Sequence, residues 1–265
     1  MIPKIIHYCW FGGKPLPDLA KKYIETWKKH CPDYQICEWN ENNFDIRLCK
    51  YVSEAYDSKK WAFVADFVRF FVLHEIGGIY LDTDVEILKN FDDLLDANAF
   101  FGFGSENLSL PVFGCVKNSK CIEDILEDYY ARNFILADGS FDLTTIERTA
   151  QKILINSYGL AINGKYQILR DNIKIYPKEY FYSTDWQTGI TKLNPKLYVI
   201  HHAEGSWLTD NQKLYLSRVK KYTKVFGKHI GLLLGYCSYV RITEGFLAIP
   251  KHFFKYILKK GKRKK

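Results

Sequence analysis

No apolar stretch of this chain is long enough to cross a bilayer as a helix. The longest uncharged apolar run near the C-terminus, Ile230–Val240, has 11 residues, against the roughly 20 that a span requires. The opening Met1-Ile2-Pro3-Lys4 reaches Gly12-Gly13 without the charged start, apolar middle and small-residue cleavage site of a secretion signal, so no such leader is expected. Paired cysteine spacing is also missing. Cys9, Cys31, Cys37, Cys49, Cys115, Cys121 and Cys237 are odd in number, contain no C-x-x-C, and form no zinc-finger spacing with histidine. That argues against a disulfide framework or a structural zinc site, and for reduced thiols that fill core space. Internal repeats and long linkers are absent as well.

Acid is scarce in one region only. From Lys213 to Lys265 there are 15 Lys/Arg and the single acid Glu244, a balance of +14, while residues 1–212 carry −6; the chain total is +8. The body is mildly acidic and the last fifth strongly basic. A nucleic-acid-binding domain would spread its basic stripe over the fold, so that class is disfavoured. What the 265 residues do hold is core material: 47% are hydrophobic and 16% aromatic. Disorder and low complexity are thereby excluded.

The pattern along the chain alternates between strand and helix. Lys4–Trp10 reads as a buried strand closed by Gly12-Gly13. Pro17–His30 reads as an amphipathic helix with Leu19, Tyr23, Ile24 and Trp27 on one face, and Tyr34–Trp39 as a second strand. Lys59–Ile76 is a helix apolar nearly all round, capped by Gly77-Gly78. Ile79–Leu81 is a third strand. Strands follow near Ala99–Phe103 and Pro111–Val116, helices at 119–134 and 143–157, and late strands at Ile173–Tyr176 and Tyr198–His202. Residues 104–118 are rich in loop formers. The expected fold is α/β with a mixed, mainly parallel central sheet.

Chemistry concentrates after the third strand. In extended backbone, residues i and i+2 face one side, so Asp82 and Asp84 of Asp82-Thr83-Asp84 present two carboxylates at a strand's C-terminal end, where α/β sheets bind ligands. Their repulsion is relieved by a hard divalent cation, which would bridge a diphosphate. Alone, the spacing reads equally as a polar turn. In the preceding apolar helix, Asp66 and Arg69 are the only charges within Trp61–Leu73 and lie at i, i+3. Buried charges need partners, so the pair is either a structural ion pair or a grip on hydroxyls and phosphate. His201-His202-Ala203-Glu204-Gly205-Ser206-Trp207 follows the last strand, and alternation lets only one histidine face the site. Trp10 is either core or a stacking platform for a nucleobase.

Together, Ile2-Pro3-Lys4-Ile5-Ile6-His7-Tyr8-Cys9-Trp10-Phe11-Gly12-Gly13, Ala65-Asp66-x-x-Arg69 and Gly77-Gly78-Ile79-Tyr80-Leu81-Asp82-Thr83-Asp84 resemble the D-x-D sugar transferases. This is the Och1-like glycosyltransferase family 32, which includes bacterial capsular polysaccharide transferases; the motifs are also similar to the glucosylating domains of clostridial toxins. The resemblance covers about residues 1–95 and returns at 198–207. It implies a GT-A fold over residues 1–212, a nucleotide-sugar donor (a UDP-sugar first), Mn²⁺ or Mg²⁺, and retention of configuration. It implies that Trp10 stacks on the nucleobase, Tyr80 lies by the nucleoside, Asp66 and Arg69 hold the donor sugar, and Asp82 with Thr83 contacts the donor. By the same resemblance Asp84, His202 and Asp82 hold the metal, and Ser206 and Trp207 close over the diphosphate. The acceptor-choosing segment 104–197 matches nothing.

Residues 213–265 mix Lys/Arg with aromatic and aliphatic residues and end in KKGKRKK. Such a segment suits an anionic lipid surface and reads as a helical, membrane-facing extension; a solvated tail is the plain alternative. The combined expectation is a capsular or surface polysaccharide transferase acting on a lipid-linked saccharide at the cytoplasmic face of the plasma membrane. A catalytically silent nucleotide-sugar-binding module and a toxin-like protein glucosylator remain open alternatives.

Overall fold

The computed structural model describes residues 1–105, 107–185, 188–205 and 209–250. The strands are β1 (Ile5–Cys9), β2 (Gln35–Trp39), β3 (Gly78–Leu81), β4 (Val85–Ile87), β5 (Ala99–Phe103), β6 (Leu108–Cys115), β7 (Gln167–Leu169), β8 (Ile173–Tyr176), β9 (Thr184–Asp185), β10 (Ile190–Thr191) and β11 (Val199–His201). The helices are α1 (Asp18–His30), α2 (Lys50–Asp57), α3 (Trp61–Ile76), α4 (Lys120–Ala131), α5 (Ile146–Tyr158), α6 (Lys178–Phe181) and α7 (Asp210–Thr243). The chain divides into two compact units, residues 1–183 with 193–201, and residues 184–192 with 202–265.

The first unit is built on a seven-stranded sheet of order β2-β1-β3-β6-β5-β8-β7. β2, β1, β3, β5 and β8 run one way, and β6 and β7 the other. The mixed, mainly parallel α/β sheet read from the alternation is therefore the observed one. Both faces are covered, as a parallel core requires. One face packs Phe67, Phe70 and Tyr129 from α3 and α4. The other packs Ile24 and Trp27 of α1.

α1 buries Ala20, Tyr23, Ile24 and Trp27, the i, i+3, i+4, i+7 stripe of an amphipathic helix. Leu19, expected on that stripe, is 44% exposed; Ala20 takes its place one position on. The apolar α3 is buried over Val64, Phe67, Val68, Phe70, Val72 and Leu73. It stops at Gly77, and with Gly78 the chain turns into β3; both have positive φ, 78° and 117°. A Cβ on Gly77 would sit 2.7 Å from Lys117 N, and one on Gly78 2.6 Å from Ile5 O. Only glycine fits this turn.

His7 locks the same turn from below. It is fully buried, Nδ1 accepts from Trp39 Nε1 at 3.0 Å, and Nε2 lies 2.9 Å from Gly77 O. An indole N–H only donates, so the hydrogen of the neutral ring sits on Nε2 and is given to Gly77.

Within the loop-rich stretch, Gly104 N donates to Asn107 O at 2.6 Å. β6 nevertheless starts at Leu108, ahead of the expected Pro111. The reason is a bulge: pairing with β5 jumps from Gly102↔Ser109 to Phe100↔Gly114, and Pro111 sits in the gap where no donor is needed. On the other side its carbonyl accepts from Asp82 N at 2.9 Å. All seven cysteines are free thiols.

The second unit holds the small β9–β10 ribbon and α7. α7 opens with a capping box between Thr209 and Gln212 and breaks at Gly227 (φ 74°, ψ 172°). Its two arms, 210–226 and 228–243, fold back on each other. A Cβ on Gly231 would overlap the Thr223 backbone, and one on Gly235 would lie 2.5 Å from Val219 Cα. Tyr215 meets Tyr236 and Tyr239 across the arms at 6.3 and 5.6 Å. No helix among the described residues is long and apolar enough to cross a membrane.

Candidate active site

The site grows from the α3–β3 junction. Arg69 comes from the middle of α3 and is 7% exposed. Its Nη2 lies 3.2 Å from Asp66 Oδ1, its Nη1 3.1 Å from Asp82 Oδ1, and its Nε donates to Ala65 O at 3.1 Å. The guanidinium also stacks 4.4 Å above the Tyr80 ring. Arg69 thus ties the helix to the strand end that carries the D-x-D turn. The i, i+3 pair is partly the structural ion pair that burial demands, and it has a third member. A fork of fixed N–H groups can hold two carboxylates at once, which a lysine cannot.

After Asp82 the chain makes a tight turn, Val85 N donating to Asp82 O at 3.1 Å, and enters β4. β4 pairs antiparallel with β11, with His201 opposite Val85. This register brings His201 Nε2 to 3.2 Å from Asp84 Oδ1. Asp82, Asp84 and His201 each offer one ligand atom, all within 4.8 Å of one another. Two carboxylates and an imidazole, in a cluster whose three acids Asp66, Asp82 and Asp84 face one arginine, suit a hard or borderline divalent cation such as Mn²⁺ or Mg²⁺.

The electrostatics agree with a strained negative cluster. Burial pushes the Asp66 carboxyl up to about 7 although Arg69 opposes it. Burial, then the charge of Asp84, raises Asp82 against the pull of Arg69. Burial opposes a charged His201, but its hydrogen bond to Asp84 and that carboxylate's charge outweigh it, and the pKa rises. A cation that relieves the repulsion between Asp82 and Asp84 would replace the proton held between Asp84 and His201.

The expected residues fall as follows. Asp66, Arg69, Tyr80, Asp82 and Asp84 are brought together. Tyr80 is buried beneath Arg69 and against Phe113. Thr83 is half-buried at the turn. Trp10 is half-buried just past β1; by the parallel register of β1 with β3, its strand end adjoins the one bearing Asp82. Its indole N–H donates to Lys14 O at 2.6 Å. The expectation chose His202 as the metal histidine, but the histidine that joins the carboxylates is its neighbour His201. Alternation carried the needed signal: Val199 is fully buried, so two residues on His201 faces inward too. Ser206 and Trp207 lie outside the described residues.

Residues 17–101 match the family described as "Glycosyltransferase sugar-binding region containing DXD motif". The matched stretch covers about a third of the chain. It contains Asp66, Arg69, Asp82 and Asp84, and the resemblance to Och1-like transferases read from the motifs is borne out. The chain is similar to an uncharacterised glycosyltransferase of Acanthamoeba polyphaga mimivirus, 37% identical over 111 residues, covering 38% of this chain and 43% of the viral protein. It is also similar to inositol phosphoceramide mannosyltransferase 3 of Schizosaccharomyces pombe, 33% identical over 106 residues, covering 36% and 27%. Among solved structures, PaToxG glycosyltransferase aligns with a TM-score of 0.43 at 20% identity, covering 58% of this chain and 69% of that one. The chain spans less than half the length of the curated relatives it matches.

Proposed function

We propose that the chain is a metal-dependent glycosyltransferase of GT-A type that moves a sugar from a nucleoside-diphosphate donor to a saccharide acceptor. The observation that carries this reading is the Asp82–Asp84–His201 cluster, held at a strand end by Arg69 inside a DXD sugar-transferase region. A bound divalent cation would supply positive charge to a diphosphate leaving group.

The chain's own residues set the rest. Arg69 fixes Asp82 and keeps it from swinging away from Asp84. Asp66 sits at the far side of Arg69 with a pKa near neutrality, so it can either give or take a hydrogen bond with a sugar hydroxyl. In the step itself the bond between the anomeric carbon and the diphosphate oxygen breaks, and one to the acceptor oxygen forms. The acceptor proton passes to the departing phosphate, so front-face attack asks for no protein base. Retention is inferred from the motif resemblance.

The donor class follows the same resemblance: a UDP-sugar first, with GDP-mannose the alternative, and the fungal relatives are named as mannosyltransferases. The S. pombe relative's name also pairs sugar transfer with a lipid-bearing acceptor, which favours a lipid-linked acceptor here. The setting in surface polysaccharide synthesis is proposed on the motif resemblance alone.

The test is a donor panel of UDP- and GDP-sugars with Mn²⁺, with EDTA, and with Asp84→Asn. Diphosphate release from one donor that needs both metal and Asp84 is the expected result. Metal-independent release would refute the proposed chemistry. Metal-dependent donor binding without turnover for any acceptor would favour the silent binding module.

A further inference from the structure

We propose that the bend of the α7 hairpin is a docking tip for an anionic lipid bilayer. Three side chains at the bend are apolar and left outside: Val225 is 69% exposed, Phe226 49% and Ile230 55%. They sit at the end of a hairpin whose arms are too tightly packed to fold over them. The Gly231 and Gly235 contacts and the Tyr215 ring contacts hold the arms together up to the turn at Gly227.

A collar of positive charge surrounds these groups. Lys220, Lys221, Lys224 and Lys228 lie within a turn or two of the bend, and no Asp or Glu occurs from Asn211 to Thr243. Lys228 is paired with Asp185 at 2.6 Å. Lys221 and Lys224 are exposed on the arm that leads into the tip, and Lys220 beside them is half-buried with its aliphatic stem near Gly189.

This combination selects its partner. A second copy meeting tip to tip would set the same lysines against each other, which costs free energy. Nucleic acid would use the lysines but has no place for exposed Val225 and Ile230. A bilayer uses both: anionic headgroups meet the collar, and the headgroup–acyl boundary takes the three apolar groups. Each lysine near such a surface contributes about fivefold in partitioning, so Lys220, Lys221 and Lys224 together contribute about a hundredfold. The inference is independent of the transferase reading.

The experiment is co-sedimentation of the full chain at physiological salt with phosphatidylcholine vesicles, pure or with about one third phosphatidylglycerol. The expected result is binding to the anionic vesicles only. Val225→Ser/Phe226→Ser/Ile230→Ser lowers it at least about tenfold, with thermal unfolding unchanged because all three groups are exposed. Lys220→Gln/Lys221→Gln/Lys224→Gln lowers it about a hundredfold. Phe246→Ser/Leu247→Ser, which removes exposed apolar groups from the far end of the hairpin, leaves it intact. The proposal is overturned by any of four results: no wild-type binding; a tip variant that sediments like wild type; equal loss in the Phe246/Leu247 variant; or loss on neutralising the lysines of 251–265 with the tip intact. Self-association by light scattering that the serine variant abolishes would also overturn it, in favour of a second copy.

Discussion

Lowering the pH should unfasten the turn between α3 and β3 through a single imidazole. His7 is held neutral: burial pushes its pKa from 6.5 down to about 4, and the hydrogen bond to Gly77 O offsets only part of that. Protonation at Nδ1 would remove the acceptor for Trp39 Nε1 and set two donors against each other. In the unfolded chain the imidazole takes up a proton below its ordinary value, whereas the folded one resists. The contribution is therefore fully present above about pH 6.5 and is lost as the pH falls toward 4. A gap of about 2.5 units corresponds to about 3 kcal/mol, a sizeable share of a domain's usual stability.

The assay is urea denaturation of wild type and His7→Asn at pH 7, 5.5 and 4. The asparagine oxygen can still accept from Trp39 but does not titrate. The variant should be weaker at pH 7, having lost the bond to Gly77. Its deficit should shrink by about 3 kcal/mol between pH 7 and 4, because every other titrating group is common to both proteins. A deficit that stays constant across that range would refute the reasoning.

Arg69→Met should leave Asp66 and Asp82 facing each other without compensation. It should cost about 3 kcal/mol or more in urea unfolding, and a loss under about 1 kcal/mol would mean the two acids do not depend on it. His201→Ala should weaken Mn²⁺ binding by at least about tenfold in calorimetry, with His202→Ala the smaller effect; the reverse order would reinstate His202. Gly231→Leu should force the α7 arms apart, at about 1–3 kcal/mol or more, and expose the bend to limited proteolysis; an unchanged cleavage pattern would contradict the close approach.

Where periodicity and burial agree, the fold was legible in the sequence. α3 was readable because a helix apolar all round has only one place to go, and Gly77-Gly78 marked its end. Ala99–Phe103 and Ile173–Tyr176 were read to the residue. Short elements escaped. α2 presents only Tyr51, Val52 and Ala55 inward, too few to show a period, and β4, β7, β9 and β10 are two or three residues long. The Gly227 break in α7 was hidden because one glycine reads alike as a tolerated helix residue and as a hairpin turn. In the site, local spacing found Asp66, Arg69, Asp82 and Asp84. What it left undecided was a question of register, namely which of two adjacent histidines the last strand would turn toward Asp84.

That last strand has a consequence for the order of folding. Among the described residues β4 has no partner in the seven-stranded sheet and pairs only with β11, over Val85–Ile87 and Val199–His201, with support from Trp27 Nε1 donating to Val85 O at 2.7 Å. The carboxylates are made early in synthesis and the imidazole late, so a nascent chain can form the D-x-D turn long before it owns a third ligand. Ion affinity becomes a report on whether the final strand has docked. A cation that prefers the complete set would in turn hold that three-residue ribbon closed by mass action.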